Sequence, residues 1–347
     1  MKLAIVLFNL GGPDSPEAVE PFLRNLFSDS AIISLPALFR LPLARLIARR
    51  RAPVARKIYD HIGGRSPIFE ETRRQADALE QALSIDGVEA KAFVAMRYWH
   101  PFSDGAARAV EAFNPDKIVL LPLYPQFSTT TTASSLRDWG RAAKRAGLKA
   151  PTTRVCCYPW EPGLVAAASK RIREMAKDLR PDIGYRLLLS AHGLPKRVIQ
   201  KGDPYQWQVE QSAAAIVQAL AMPQLEMVVC YQSRVGPLEW IGPSTDAEIT
   251  RAGRDGKGVI VAPIAFVSEH SETLVELDIE YRKLSGEVGV ADYRRAAAVG
   301  TQGEFIEGLA GLVREALTHK TVTCGQGPLG GGRICPVGHG RCGFGEI

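Results

Sequence analysis

A histidine stands where an apolar, strand-like segment of the sequence ends. The stretch RLLLSAHGLPK, residues 186–196, runs through Ser190 to His192, and Gly193 and a basic, proline-containing segment follow. Neutral imidazole is a base near neutral pH and a ligand for first-row divalent metals. Two interpretations fit this position: a histidine presented at the mouth of a cleft, or a histidine that caps or packs against the strand.

A second segment carries a row of acidic side chains. After the apolar run 258–266 the sequence reads VSEHSETLVELDIEY, which contains His270, Glu272, Glu276 and Glu280. In a helix that begins near Ser271, this spacing places three carboxylates nearly in line. A locally widened, π-like turn would align them better, and such turns are frequent at functional sites. The alternative is a solvated acidic face of an ordinary helix.

An imidazole that faces a carboxylate row suits the delivery of a divalent metal ion coupled to proton removal. Other chemistries lack their motifs. The sequence contains no His-Glu-x-x-His zinc motif and no Gly-x-Ser-x-Gly nucleophile elbow. It contains no P-loop, and no Gly-x-Gly-x-x-Gly motif follows a predicted strand.

The elements around these motifs alternate between apolar strands and amphipathic helices. This alternation predicts an α/β fold with parallel sheets covered on both faces. The alternation pauses at residues 148–163 and then restarts, so we predict two Rossmann-like domains, 1–150 and 151–318, and a Gly/Cys-rich tail, 319–347. We expect the active-site cleft between the two domains, at the carboxyl ends of strands. The predicted strands are 2–10, 89–98, 117–124, 186–192, 226–233 and 258–266.

The composition excludes several classes of protein. The net charge of +6 over 347 residues is too small for a nucleic-acid binder. No run of about 18 apolar residues predicts a membrane-spanning helix. The start MKLAIVLFNLGGPD is typical of a first strand, not a signal peptide, so we predict a cytoplasmic protein.

The segment SAHGLPKRVIQKGDPY, residues 190–205, resembles the signature of the ferrochelatases, which insert ferrous iron into a porphyrin in haem synthesis. Further blocks resemble the same family in the family's order, and the resemblance runs from about residue 3 to about residue 315. They are LFNLGGPDSPEAVEPFLRNLFSD, RRRAPVARKIYDHIGGRSPI, MRYWHP, LPLYPQFSTTTTASS, YQSRVGPLEWIGPSTDAEI and VAPIAFVSEHSETLVELDIEY. The family's two Rossmann-like domains agree with the fold predicted from the alternation of elements.

The resemblance implies a role for individual residues. His192 is similar to the family's essential histidine and Glu272 to its acidic partner, while His270, Glu276 and Glu280 resemble the row that leads metal or protons through the protein. Glu269 stands where some relatives carry aspartate. The residues that fall where the family lines its porphyrin cleft are Arg97, Tyr98, Tyr59, Ser66, Phe266 and Trp240. We expect His192 and Glu272 to face each other from the two halves across a gap of porphyrin size.

The leading hypothesis is therefore the insertion of ferrous iron into protoporphyrin IX to form protohaem, with release of two protons. The alternatives are a chelatase for coproporphyrin or sirohydrochlorin, and a tetrapyrrole carrier without catalysis. The presence of both His192 and Glu272 favours an enzyme. The sequence leaves open whether His192 acts as a base or as an iron ligand, and whether the chain is a monomer or a homodimer.

Residues 30–57 form an apolar and basic segment that we call the lip. Seven cations and no acids lie between Asp29 and Asp60, around the apolar-rich stretch AIISLPALFRLPLARLIA, which Pro36 and Pro42 interrupt. Apolar surface rimmed by arginine suits contact with an anionic bilayer. We predict peripheral membrane association; the alternative is a lid packed on its own domain with a solvated basic face.

Three cysteines, Cys324, Cys335 and Cys342, crowd the tail. A cysteine cluster in a reducing compartment indicates a metal site. Some ferrochelatases hold a [2Fe-2S] cluster on a C-terminal cysteine trio and one internal cysteine; the internal position of animal relatives is Thr129 here, so Cys157 or Cys156 would replace it. Adjacent residues of an extended segment face opposite ways, so we expect only one of these two to serve. Structural zinc and unligated thiols are the alternatives.

Overall fold

The structure, a computed structural model, describes residues 1–84, 88–234, 236, 238–325 and 332–345. The chain divides into two compact units, each built on a parallel sheet. The first unit comprises Met1–Cys157, Leu309–Ile334 and Gly343–Ile347, and the second comprises Tyr158–Gly308 and Cys335–Cys342. The sequence places the boundaries after residues 150 and 318; in the structure the first unit extends to Cys157 and also takes in Leu309–Ile334 and Gly343–Ile347.

The first unit contains a sheet of five parallel strands in the order β2-β1-β3-β4-β9. Its strands are β1 (Lys2–Asn9), β2 (Glu89–Met96), β3 (Lys117–Pro122), β4 (Thr152–Val155) and β9 (Val322–Thr323). Residues 3–8 of β1, an interior strand, are all buried, so both faces of the sheet are covered there. The helices are α1 (Val19–Phe27), α2 (Ala37–Asp60), α3 (Ile68–Leu83), α4 (Ser103–Phe113) and α5 (Thr132–Ala146).

The second unit contains a sheet of four parallel strands in the order β6-β5-β7-β8. Its strands are β5 (Tyr185–His192), β6 (Glu226–Gln232), β7 (Gly258–Pro263) and β8 (Tyr293–Arg295). The helices are α6 (Pro162–Met175), α7 (Lys196–Gln200), α8 (Tyr205–Leu220), α9 (Thr245–Arg254), a π-helix (Glu272–Glu280) and α10 (Tyr281–Glu287). Helix α11 (Gly303–Thr318) begins in this unit and ends in the first.

The prediction of an α/β fold with two parallel sheets is confirmed. All six predicted strands form, whereas the sequence missed β4, β8 and β9. These three strands have four residues or fewer, which is too short for a readable alternation of apolar and polar positions. Strand β4 lies inside the predicted pause at 148–163.

The lip contains one continuous helix, α2, although Pro42 and Pro53 lie inside it. Its buried side includes a stripe of small residues, Ala44, Ala48 and Ala52, of which Ala48 and Ala52 pack with α1. The apolar side chains at its start and most of its arginines remain exposed. Within the described ranges, no helix has the length and hydropathy needed to cross a membrane.

Candidate active site

His192 is the last residue of β5, and neighbouring backbone approaches closely just beyond it. Gly193 donates its N–H to the carbonyl oxygen of Gln232 at 2.8 Å. A Cβ atom on residue 193 would lie 2.9 Å from that same oxygen, so glycine allows the approach without a shift of backbone. The hydroxyl of Tyr205, at the start of α8, donates to the carbonyl of His192 at 3.0 Å. These contacts fix the backbone that presents the imidazole.

His192 and Glu272 form a direct hydrogen-bonded pair. The Nδ1 atom of His192 lies 2.7 Å from Oε2 of Glu272, and the two side chains are 36% and 26% exposed. Both residues belong to the second unit. The expectation that they face each other from separate halves across a gap is therefore wrong. Strands β5 and β7 are neighbours in one sheet, so the residue that ends β5 meets the helix that follows β7.

The acidic row lies on a widened helix. Residues Glu272–Glu280 form a π-helix, which is the local geometry considered from the sequence. Glu272 and Glu276 both turn toward Ser233, whose hydroxyl lies 3.0 Å from Oε2 of Glu272 and also contacts Oε2 of Glu276. Glu280 ends the helix and is exposed to solvent. The structure thus brings the first two carboxylates of the row together and leaves the third at the surface.

Four donors surround the carboxylate of Glu276. They are the Ser233 backbone N–H at 2.8 Å, the Ser233 hydroxyl, the Gln232 amide nitrogen at 3.1 Å and the Tyr281 hydroxyl at 2.9 Å. The hydroxyl of Ser190 donates to the amide oxygen of Gln232 at 2.8 Å, which turns the amide nitrogen toward Glu276. Ser233 has a φ of +61°, in the left-handed region that few non-glycine residues adopt.

The two half-buried carboxylates, Glu272 and Glu276, differ in their proton affinity. Burial raises the pKa of Glu272, but the adjacent His192 imidazole outweighs that effect, and the net pKa lies well below its usual range. Burial and the negative charge of Glu272 raise the pKa of Glu276 despite the hydrogen bonds from Ser233. Burial lowers the pKa of His192, but the attraction of Glu272 is stronger, so the net pKa is raised. Neighbouring carboxyl groups whose pKa values are moved apart can take different roles.

His270 is a second imidazole beside Glu272. Its Nε2 lies 4.0 Å from Oε2 of Glu272, and its Nδ1 lies 3.2 Å from the carbonyl oxygen of Ser268. Burial lowers the pKa of His270, so this imidazole is neutral near pH 7 and keeps a lone pair on one ring nitrogen. Phe266 contacts both imidazoles, with ring centroids 6.4 Å from His192 and 4.7 Å from His270.

Trp240 lies beside the loop that follows His192. It forms a β-bridge with Pro195, and its ring would lie 3.4 Å from a Cβ atom on residue 193. The indole N–H is buried and has no hydrogen-bond partner in the described part of the chain. Trp240 also lines a cavity of about 390 Å³ together with Lys196 and Gln206. Its position next to the histidine loop fits the predicted substrate contact.

Arg97 and Tyr98 belong to the first unit, where both bind the buried Asp29. The guanidinium of Arg97 lies 2.8 Å from Asp29 and donates to the Ser134 hydroxyl at 2.7 Å, while the Tyr98 hydroxyl donates to Asp29 at 2.9 Å. Arg97 also lines a cavity of about 490 Å³ with His100. Tyr98 has no exposed surface. Arg97 is therefore accessible to a ligand and Tyr98 is a core residue.

Tyr59 and Ser66, the other predicted cleft residues of the first unit, are also buried. Tyr59 packs in the cluster formed by α1 and α2. Ser66 donates its backbone N–H to the carbonyl of Pro13 at 2.8 Å, and a Cβ atom on Gly12 would lie 2.5 Å from its side chain. Neither side chain is open to a ligand. We therefore do not assign Tyr59, Ser66 or the equally buried Tyr98 to substrate binding.

Three thiols meet in the first unit. The Sγ atoms of Cys156, Cys157 and Cys324 all lie within 4.8 Å of one another, and those of Cys157 and Cys324 are 3.7 Å apart. The expectation that Cys156 and Cys157 face opposite ways is wrong, because both follow the end of β4 and the alternation of a strand does not apply to them. Cys335 and Cys342 belong to the second unit, where Gln208 donates to the Sγ of Cys335 at 3.0 Å. Residues 326–331 of the tail lie outside the described residues.

Sequence reasoning missed Gln232 and Ser233, which hold the acidic pair. A signal for them was present in the strand ends. Gln232 pairs with His192 in the register of β5 and β6, and the carboxyl ends of parallel neighbouring strands meet at one edge of a sheet. Polar residues that end the predicted strand 226–233 therefore belong beside a histidine that ends strand 186–192. The cluster as a whole offers a base, a neutral nitrogen ligand and two carboxylates, which can bind a divalent cation and accept protons.

The chain resembles proteins of one enzyme family over most of its length. A family profile described as Ferrochelatase matches residues 2–317. The ferrochelatase of Caulobacter vibrioides is 59% identical over 318 residues, which cover 91% of this chain and 90% of that protein. The ferrochelatase of Phenylobacterium zucineum is 55% identical over 345 residues, 99% of this chain and 98% of that protein.

Solved structures support the fold. SirB from Bacillus subtilis, solved with Fe3+, matches with a TM-score of 0.53 and 15% sequence identity over 91% of this chain and 96% of SirB. The sirohydrochlorin chelatase SirB from Bacillus subtilis subspecies spizizenii, in complex with cobalt, has the same TM-score with 13% identity over 91% of this chain and 95% of that protein. At these identities the likeness concerns the fold alone. The family profile and the close relatives together place this chain in the ferrochelatase family of metal chelatases.

Proposed function

We propose that the cluster around His192 inserts ferrous iron into protoporphyrin IX to form protohaem, with release of two protons, as the last step of haem synthesis. The observation that carries this proposal is the 2.7 Å pair of His192 and Glu272, set beside neutral His270 and half-buried Glu276 in a chain of the ferrochelatase family. Iron is the substrate here, not a resident cofactor.

His192 acts as the base in this proposal. Its Nδ1 is engaged by Glu272, so Nε2 is the ring nitrogen left to meet the porphyrin. When Nδ1 carries the proton, Nε2 has a lone pair that can accept a proton from a pyrrole N–H. The carboxylate of Glu272 then stabilises the imidazolium that forms, which is the same interaction that raises the pKa of His192.

Glu272 and Glu276 have different roles in proton transfer. Glu272, with its lowered pKa, is ionised at rest beside the imidazole and holds a transferred proton only in passing. Glu276, with its raised pKa, takes up a proton more readily, and the hydroxyl of Ser233 touches both groups. We infer that protons leave the porphyrin through His192 and pass along this pair toward solvent. We assign Glu280, which is exposed at the end of the π-helix, to the outer end of this route.

The porphyrin must be bent before metal can enter. A flat ring keeps both N–H protons in its plane, and only interactions stronger in the bent form lower the barrier. Phe266, against the two imidazoles, and Trp240, beside the His192 loop, are the apolar side chains we assign to ring contact. The unpartnered indole N–H of Trp240 supplies a donor for a polar substituent.

The test is the formation of metalloporphyrin from protoporphyrin with Fe(II) or Zn(II), followed by absorbance, for the unchanged protein and for His192→Ala. We expect turnover by the unchanged protein and a loss of about 100-fold to 10,000-fold in the variant, the usual contribution of a general base. Coproporphyrin and sirohydrochlorin serve as competing substrates. Binding of porphyrin without a metal-dependent spectral change would identify a carrier and contradict the proposal.

We also propose that the start of α2 docks on an anionic membrane surface. Leu38 and Phe39 are 77% and 64% exposed, and the exposed arginines Arg45, Arg49 and Arg50 follow them on the same helix. Inserting both apolar side chains into a bilayer would contribute about 3–6 kcal/mol. Arginine near anionic headgroups adds about 1 kcal/mol per residue. Peripheral association in the cytoplasm fits these exposed groups.

Flotation with vesicles that contain anionic lipid tests this surface. We expect the protein to float with the vesicles at low salt and the variant with Leu38→Ser and Phe39→Ser to remain soluble. Val337→Ser removes another exposed apolar side chain, which is 88% exposed, and is the matched control. A protein that stays wholly in the soluble fraction at low salt would contradict the proposal.

The thiol cluster of Cys156, Cys157 and Cys324 fits an iron-sulfur group in its donor chemistry. All three thiols are buried among apolar residues, including Phe127 and Phe344, and thiolates are the ligands that such clusters take. We propose that Cys157 and Cys324 bind a [2Fe-2S] cluster, with Cys156 the other internal candidate. When bound, such a cluster carries one electron or holds the fold together. The contribution of Cys335 and Cys342 stays a prediction.

Iron, zinc and acid-labile sulfide contents of anaerobically purified protein, with its visible spectrum, test this assignment. We expect a coloured protein that loses colour and sulfide with Cys324→Ser or Cys157→Ser. Cys230→Ser is the control, because Cys230 is equally buried but lies on β6. Zinc without sulfide would identify a structural zinc site, and the absence of both metals would leave unligated thiols; either result would contradict the cluster.

A further inference from the structure

Strand β8 stands at the edge of the second sheet and directs two long side chains at the π-helix. Arg295 pairs in register with Val261 of β7, the strand that leads into the acidic segment. Tyr293, two residues earlier, points to the same face of the strand. Neither residue touches His192 in any hydrogen bond within the described residues, and neither belongs to the proton route.

Arg295 grips the acidic segment at two points. Its Nε donates to Oδ1 of Asp278 at 3.0 Å, and a second nitrogen bonds the other carboxylate oxygen of Asp278. Its third nitrogen donates to Oε1 of Glu269 at 2.6 Å. The Arg295 side chain is only 10% exposed, so the planar guanidinium is held in one orientation with its charge paired on both sides.

These two ion pairs of Arg295 lie on either side of Glu272 along the chain. Glu269 precedes the π-helix, and Asp278 lies inside it. The loop is fixed further, because the same oxygen of Glu269 accepts the backbone N–H of Ala298 at 2.9 Å. Glu272 and Glu276 therefore lie on a segment that the guanidinium of Arg295 binds both before Glu272 and after Glu276.

Tyr293 holds the backbone of the same helix. Its buried hydroxyl donates to the carbonyl oxygen of Leu277 at 2.6 Å. The N–H of Tyr281 bonds the carbonyl of Glu276 five residues back, which is the spacing of a π-helix. Such helices are rare and occur mostly as short widened turns, so an external hydrogen bond to a carbonyl inside the turn favours the widened form.

We propose that Arg295, assisted by Tyr293, is a positioning residue for metal insertion that fixes the π-helix and with it the spacing of Glu272 and Glu276 against Ser233. This inference rests on the proposed use of Glu272 and Glu276 in proton transfer during metal insertion. A displacement of about 1 Å at a reacting group can cost about 100-fold in rate, which is the scale of effect expected when the grip is lost.

The experiment compares Arg295→Gln, Arg295→Lys and Tyr293→Phe in the full chain, with Zn(II) or Fe(II) and protoporphyrin as substrates. We expect Arg295→Gln to lower kcat/KM for the metal by about 10-fold to 100-fold while KM for porphyrin stays within about twofold. Arg295→Lys keeps the charge but loses the two-point grip, so we expect an intermediate rate. Tyr293→Phe loses only the hydroxyl that bonds Leu277 and keeps the ring in the core. Its rate therefore tests the positioning of the π-helix even if Arg295→Gln folds poorly.

Arg294→Gln is the matched control. Arg294 is the neighbouring arginine of β8, and it pairs with Asp292 at 2.7 Å and donates to the carbonyl of Met175 at 2.9 Å, away from the π-helix. We expect the unfolding temperature of Arg294→Gln to fall as much as that of Arg295→Gln. The kcat/KM of Arg294→Gln for the metal should stay within about twofold of that of the unchanged protein. If Arg294→Gln and Arg295→Gln lose metal turnover equally, Arg295 has only a structural role and the inference is overturned.

Glu276→Gln, measured in parallel, separates the two levels of the proposal. If Glu276→Gln leaves kcat/KM for the metal unchanged, the proposed route fails, and the positioning of that route fails with it. If Glu276→Gln lowers kcat/KM while Arg295→Gln and Tyr293→Phe do not, the route stands and the positioning role is refuted.

Discussion

Ser233 offers a substitution whose effect on chemistry can be separated from its effect on folding. Its hydroxyl contacts both Glu272 and Glu276, and its backbone N–H donates to Glu276. A single hydroxyl proton serves one carboxylate at a time, so Ser233→Ala removes one hydrogen bond to a charged group. Such a bond contributes about 1.5–3 kcal/mol. At 1.4 kcal/mol for each factor of ten, kcat/KM for the metal should fall by about 10-fold to 150-fold.

The left-handed backbone of Ser233 provides an internal comparison. Ser233→Gly removes the same hydroxyl but relieves the cost of a φ of +61°, which is about 1–2 kcal/mol for a residue with a side chain. We therefore expect the glycine variant to unfold at higher denaturant concentration than the alanine variant, while both lose metal turnover to the same extent. The backbone N–H to Glu276 remains in both.

Rates of Zn-protoporphyrin formation and urea unfolding curves for the three proteins complete the assay. The reasoning is refuted if Ser233→Gly turns over as fast as the unchanged protein, because then the hydroxyl contributes nothing. It is also refuted if the activities of the alanine and glycine variants follow their stabilities, because then backbone strain explains the loss.

Four further substitutions test the account of folding. Hydrogen bonds from Arg186 and Lys257 lower the pKa of Glu226 from 4.5 to about 2. The ionised group therefore stabilises the fold above pH 4.5, and this contribution is lost as the pH falls toward 2. In urea unfolding at pH 6, 4 and 3, the free energy of unfolding should fall less with pH for Glu226→Gln than for the unchanged protein. Asp29→Ala should reduce the free energy of unfolding by about 3–5 kcal/mol, because it removes the buried carboxylate that Arg97 and Tyr98 both bind and leaves Arg97 only the more distant Asp138, at 3.9 Å. Equal stability of that variant by chemical denaturation would contradict the assigned pairing. Gly253→Ala should lower the free energy of unfolding by about 1–3 kcal/mol, since its Cβ would lie 2.1 Å from the carbonyl oxygen of Val288. At Gly286 nothing lies within 4 Å of an added Cβ, so Gly286→Ala should instead stabilise its helix by up to about 1 kcal/mol.

The sequence predicted those features that depend on local pattern. Apolar runs and their alternation with helices gave two parallel sheets, and the spacing of Glu272 and Glu276 gave the acidic row. His192 was recognisable because a polar residue ended an apolar strand. Each of these signals lies within one element and its immediate neighbours along the chain.

Features that depend on pairing between distant segments were not predictable in the same way. Ser233 follows β6 and Glu276 lies on the helix after β7, so their contact depends on the strand order β6-β5-β7, and the contacts of Arg295 depend on a three-residue edge strand. His192 and Glu272 were expected apart, yet the neighbouring order of β5 and β7 places them in contact. Cys156 and Cys157 converge because they lie beyond the end of β4, a boundary that the sequence does not mark.

The central claim is that His192 and Glu272 act as one hydrogen-bonded unit in metal insertion. The most direct measurement is a double-mutant cycle on the rate of metalloporphyrin formation, with His192→Ala, Glu272→Gln and the combined variant. Residues that act as a unit are strongly non-additive, so we predict that the combined variant is no slower than His192→Ala alone. Losses that multiply in the combined variant would show that the two side chains act independently and would contradict the account.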